Sequence, residues 1–308
     1  MTPDEFTNQE LHLDVGDGHS LYICDWGDKH AKTPFIYLHG GPGSQIKDGH
    51  REGFDPQKHR VIFFDQRGCG QSTPYGSLEH NTTDDLLEDI TRIATHLKIK
   101  KFRLIASSWG SCLALLYAIR NPKNVAGLVL GGIFSGSRGE CEWVEQGRFN
   151  GFYPEAWEEF LERTPKEHHT DAAAYHYKNI LRGDAHQVFN SALAVEELEH
   201  SIMRLDDRTH PIDPATFDPT SARIFAHYFS NELFIPDLYI LKNASKLTMP
   251  VWFVQGRYDM ECPPYIAHLL HRAIPGSQLY MTIGGHLAEH ETRSVLRAIL
   301  LQLDAPHE

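Results

Sequence analysis

Short apolar runs recur through the first third of the chain, at 11–15, 20–25, 35–38, 61–64, 102–106 and 126–131, and each reads as a strand. Between the later runs, at 83–97 and 111–121, apolar residues return every three or four positions, the spacing of one helix face. Asn81-Thr82-Thr83-Asp84 offers short polar side chains to cap the first of these helices, and Pro122 ends the second. Strands alternating with helices predict parallel strands joined by crossover helices. The pattern then changes. From 135 to 241 nearly every segment has helical spacing and a charged face, as at 154–163, 171–182, 188–203 and 219–229. Strand character returns at 251–255 and 278–283, and a closing helix is predicted over 291–303. The expectation is an α/β core in two parts, 1–134 and 242–308, with an inserted all-helical cap at 135–241.

Charge and cysteine usage narrow the partners. A formal net charge of −12 over 308 residues speaks against nucleic acid and anionic membranes, and favours small cationic substrates. No apolar stretch is long enough to cross a bilayer. Met1-Thr2-Pro3-Asp4-Glu5 is acidic, so no secretory leader is expected. Cys24, Cys69, Cys112, Cys141 and Cys262 are scattered and odd in number, which predicts a reduced, cytoplasmic protein. Among twenty histidines there is no HExxH. The closest groupings, His168-His169 and His268-Leu269-Leu270-His271, read as solvated surface, so neither a metal nor a cofactor is expected.

In open α/β sheets ligands bind beyond the carboxyl ends of the strands. After 102–106 comes Ser107-Ser108-Trp109-Gly110-Ser111, where a strand runs straight into a helix. A serine on so sharp a turn needs near-absent side chains two positions before and after it. Ser108 has Ala106 and Gly110 there, whereas Ser107 and Ser111 are flanked by bulky residues. After 35–38 comes His39-Gly40-Gly41-Pro42-Gly43, whose glycines leave backbone N–H groups free to meet a negative oxygen. Asp65-Gln66-Arg67-Gly68-Cys69-Gly70-Gln71-Ser72 follows 61–64. It lacks the GKS or GKT of a phosphate loop and reads as a pocket wall. Gly256-Arg257-Tyr258-Asp259 places a carboxylate after 251–255, and Gly284-Gly285-His286 places an imidazole after 278–283. Nucleophile, acid and base in the order Ser108, Asp259, His286 are those of an α/β-hydrolase. Glu261 competes with Asp259, and His290 with His286, but both lie further from the strand ends.

These segments, with Asn81-Thr82-Thr83, Pro154-Glu155-Ala156-Trp157-Glu158 and Cys262-Pro263-Pro264, together resemble the prolyl aminopeptidases, or proline iminopeptidases. That family has the α/β-hydrolase fold, mostly parallel strands with flanking helices and an inserted helical cap. The resemblance implies removal of an N-terminal proline by a serine acyl-enzyme route. It implies Ser108 as nucleophile, Asp259 and His286 as its partners, and N–H groups of Gly41 and Trp109 as the oxyanion hole. It also implies a substrate site at Gly40, Phe134, Glu199 and Phe225, with Cys262 close to the reacting groups. Three departures stand out. Ala106 replaces the usual glycine of the serine turn. In Ala194-Val195-Glu196-Glu197-Leu198-Glu199 a leucine replaces tryptophan, while the amine-binding Glu199 is kept. In Arg223-Ile224-Phe225-Ala226-His227-Tyr228-Phe229 the family's second amine-binding glutamate falls at Phe225. Three functions follow: an aminopeptidase for small or short-peptide substrates, an esterase or amidase for uncharged apolar acyl groups, and a non-catalytic binding protein on a hydrolase scaffold.

Overall fold

A computed structural model describes residues 6–205 and 212–303. Eight strands form one sheet: β1 (Phe6–Gly16), β2 (His19–Asp28), β3 (Phe35–Leu38), β4 (Arg60–Phe64), β5 (Phe102–Ser108), β6 (Val125–Ile133), β7 (Val251–Gly256) and β8 (Gln278–Thr282). Their spatial order is β1-β2-β4-β3-β5-β6-β7-β8. From β4 onward every pairing is parallel. The sheet is mostly parallel, as expected, and its exceptions lie at the start, where β1–β2 and β2–β4 are antiparallel. The cause is local. Only Asp17 and Gly18 separate β1 from β2, both at positive φ, and a two-residue turn of that kind can join only antiparallel strands.

The sheet is buried on both faces, so its strands read as continuous apolar runs. Along β4, Ile62 and Phe64 face one layer while Val61 and Phe63 face the other. The first layer contains α1 (Thr83–His96), α2 (Trp109–Arg120) and α9 (Pro264–Ala273); the second contains α10 (His290–Leu303). Helix α1 begins where expected: Thr82 accepts from the Asp85 N–H, and Asp85 accepts from the Thr82 N–H at 2.9 Å. Helix α2 is buried almost all round, as a central helix must be.

Between β6 and β7 lie α3 (Arg138–Glu145), α4 (Pro154–Glu162), α5 (Ala172–Arg182), α6 (Ala185–Ile202), α7 (Thr220–Ser230) and the short α8 (Tyr239–Asn243). Helices α3 and α8 fall in or at the edge of the stretch read as helical, whereas the apolar spacing named no helix at α9. Phe160, Tyr177, Val195, Leu198, Phe225 and their neighbours make a second apolar cluster within this helical block.

One buried ion pair braces the loop after β4. The Arg67 guanidinium donates to Asp89 on α1 at 2.7 and 2.9 Å, and to the His80 carbonyl at 2.6 Å. Both side chains are only 1% exposed. Removing one partner strands the other charge away from water. Asp89→Ala is therefore expected to destabilise the fold by about 3 kcal/mol, measured by urea unfolding. An unchanged midpoint would contradict this.

Candidate active site

Ser108 ends β5 with φ 57° and ψ −131°, a strained backbone for a residue with a side chain. Helix α2 starts at the next residue. The turn is tight because the end of β3 crosses it: a Cβ on Gly110 would lie 2.2 Å from the Leu38 carbonyl oxygen. Ala106, buried on β5, fits without glycine. The Ser111 hydroxyl donates to the Ser108 carbonyl at 2.7 Å and accepts the Phe134 N–H at 2.9 Å, pinning the turn to the end of β6.

The glycine loop after β3 lies against this serine. A Cβ on Gly40 would sit 3.3 Å from the Ser108 Cβ and 3.8 Å from its Oγ. Gly41 has φ 110°, and a Cβ there would lie 2.5 Å from the Gly43 nitrogen, so only glycine fits. Trp109 opens α2, where backbone N–H groups have no partner within the helix and the dipole favours negative charge. Gln66 ties these parts together. Its amide accepts from Trp109 Nε1 at 3.1 Å and donates to the His39 carbonyl at 2.9 Å, and its backbone N–H donates to His39 Nε2 at 3.0 Å. Burial pushes His39 down to about 4, so its ring is neutral and can accept at Nε2. The loop 65–72 is thus joined to the serine turn.

Beyond β7 and β8, His286 Nδ1 lies 3.1 Å from each oxygen of Asp259. The two side chains are 6% and 0% exposed. Asp259 also accepts the N–H groups of Glu261 and Cys262 at 3.0 and 2.7 Å, and Gln255 Nε2 at 3.0 Å. Gln255 in turn accepts the Ile133 N–H at 2.7 Å, linking β7 to β6. Burial alone lowers the His286 pKa. The charge and hydrogen bond of Asp259, with the charge of Glu261, outweigh that and hold it above the ordinary value. The imidazole lies over the end of β6, where a Cβ on Gly132 would be 3.1 Å from its Cε1 and 3.2 Å from Ser107 Oγ. Register pairs Ser108 with Ile133, so the ring and the serine share this end of the sheet.

The competitors separate cleanly. Asp259, not Glu261, bonds the imidazole, and His290 is exposed at the start of α10. Cys262 is buried, with its thiol in hydrogen-bonding range of the Ser108 side chain; burial first, then Asp259 and Glu261, pushes that thiol well above its usual range. Glu199 lies on α6 and Phe225 on α7. Phe225 stacks on Phe229 with ring centres 4.1 Å apart, and Phe134 stacks on the same Phe229 at 6.5 Å. A cleft of about 530 Å³ opens on the helical block beside Glu145, Tyr177 and Phe229. Glu145 and Tyr177 also border a pocket of about 10 Å³ that touches Glu199 and Phe225. Sequence reasoning missed Gln66, Ser111 and Gln255. The signal was there for Gln255 alone, a polar residue closing an apolar run.

A family model described as alpha/beta hydrolase fold matches residues 33–288. The chain is 38% identical over 277 residues to a probable proline iminopeptidase of Leptolyngbya boryana, covering 87% of this chain and 84% of that one. It is also 38% identical to a proline iminopeptidase of Xanthomonas citri, covering 94% of each. The crystal structure of a Mycobacterium smegmatis proline iminopeptidase superposes with a TM-score of 0.62 at 20% identity, over 96% of this chain and 99% of that one; at that identity the likeness concerns the fold.

Proposed function

The chain belongs to the α/β-hydrolase family and within it to the proline iminopeptidases, and from that premise we propose that it releases N-terminal proline, or another small apolar residue, from short peptides. The observation that carries this reading is the buried Asp259–His286 pair beside the strained Ser108 turn. Ser108 Oγ attacks the carbonyl carbon of the first residue while His286 Nε2 takes its proton. Asp259 at Nδ1 sets the tautomer and stabilises the imidazolium. N–H groups of Trp109 and Gly41 receive the oxyanion. His286 then gives its proton to the departing amine. Water, activated by the same imidazole, attacks the acyl-enzyme and frees the amino acid and Ser108.

The helical insertion 135–241 acts in this reading as a cap. It brings Glu199 to the substrate amine and Phe225 to its apolar side, where Phe134 meets it from the end of β6. The pocket beside Glu199 and Phe225 has room for about one water, so a proline ring must displace part of its wall on binding. Among the described residues no helix is long and apolar enough to cross a membrane. With Cys24, Cys69, Cys112, Cys141 and Cys262 all free, we place the enzyme in the reduced cytoplasm.

The test compares proline p-nitroanilide, its N-acetyl form and p-nitrophenyl butyrate. The expected result is cleavage of the free-amine anilide with at least a hundredfold loss on acetylation, which removes the charge that carboxylates read. Cleavage of the butyrate with no preference for a free amine would instead make this an esterase, the reading favoured by the apolar Phe225–Phe229 stack.

A further inference from the structure

Asp259 holds His286, which leaves Glu261, two residues on, without a part in the mechanism above. Its backbone N–H is used on Asp259. Its carboxylate Oε2, however, is buried with no hydrogen-bond partner among the described residues. A carboxylate oxygen removed from water costs several kcal/mol unless donors or a cation meet it. An unmet one beside a reacting centre points to a cation that arrives with the substrate.

The neighbours of Glu261 say where that cation would sit. Met260 belongs to the helical cluster with Val195, Leu198 and Phe225, and its carbonyl accepts from Trp143 Nε1 at 2.8 Å. Cys262 belongs to the core beneath the sheet. Glu261 therefore stands at the seam between helical block and sheet. Glu199 reaches the same seam from α6. One turn beyond it, the Met203 carbonyl accepts the N–H groups of His286 and Leu287 at 3.2 Å each. The two carboxylates feel one another: burial first, then the charges of Glu261 and Glu196, holds Glu199 well above its ordinary value. Phe225, where the family resemblance implies a second amine-binding glutamate, is spent on an aromatic stack and carries no charge.

We propose that Glu261 is the second carboxylate of the amine site, binding the substrate's protonated N-terminus together with Glu199 across the seam. This rests on the aminopeptidase reading above and deepens it. A protonated proline N-terminus carries two N–H donors, one for each carboxylate, and such charge-assisted bonds are the stronger kind. Specificity for a free amine is thereby kept although position 225 has lost its charge.

The test measures kcat/KM for proline p-nitroanilide and p-nitrophenyl butyrate in wild type, Glu261→Gln and Glu261→Met. The expected result is a ten- to hundredfold fall in the anilide-to-ester ratio in both variants. Melting temperatures should be no lower than wild type, since a buried carboxyl group that burial raises to about 7, with one oxygen unmet, has been replaced. An unchanged ratio would overturn the assignment while leaving the aminopeptidase reading intact. Equal losses on both substrates would also overturn it, by making Glu261 a positioning residue for His286. A wild type with no preference for the free amine would overturn both readings together.

Discussion

Ser108→Ala is expected to lower kcat/KM for proline p-nitroanilide by about a millionfold, the scale seen when a serine nucleophile that works as a unit with its base is removed. The residual rate comes from whatever oxyanion donors and binding contacts remain. The same substitution should abolish covalent labelling by a fluorophosphonate probe. The backbone makes a second, opposite prediction. Because Ser108 sits at φ 57°, Ser108→Gly relieves strain that alanine retains. That variant should be equally inactive yet more stable than wild type, by about 1 kcal/mol. Activity and stability would then move in opposite directions at one residue. Substantial turnover by Ser108→Ala, or failure of the probe to label wild type, would exclude Ser108 as the nucleophile.

Asp259→Asn is expected to lower kcat by about ten-thousandfold, because an amide favours the wrong tautomer of the base. It should also shift the acid limb of the pH profile. His286 must be neutral to accept the serine proton, and the Asp259 charge holds its pKa above the ordinary 6.5. Removing that charge moves the limb to lower pH. Stability follows with its own sign. A raised folded-state pKa contributes stability that is fully present below the unfolded value and is lost as pH rises through the folded one. The variant should therefore fall furthest behind wild type in acid. A pH-independent deficit of about 1–3 kcal/mol is expected in addition, since the Glu261, Cys262 and Gln255 donors all converge on this carboxylate and an amide has one acceptor oxygen. Thermal melts between pH 5 and 8, read beside the rate profile, separate the two effects. An unmoved acid limb would remove Asp259 from the base.

Much of the fold was legible in the chain because its signals are local. Strands and helices follow from the repeat of apolar positions, and β3 runs from Phe35 to Leu38 as the spacing predicts. Ser108 was legible for the same reason: a strained turn admits only small neighbours, whatever surrounds it. The antiparallel start of the sheet has a local signal too, in Asp17-Gly18, a two-residue turn with no helix between its strands.

The sequence by itself determined the sheet, the serine turn and the order of groups at the strand ends, since each depends on backbone preferences and spacing within a few residues. Only the tertiary structure decided what those groups touch. Asp259 and Glu261 share one loop and one kind of side chain, and packing alone chose which meets the imidazole and which keeps a buried oxygen unmet among the described residues. Gln255 and Gln66 likewise acquire their roles from strands and loops distant in sequence. Such pairings are set by how layers close over one another, and no local pattern encodes them.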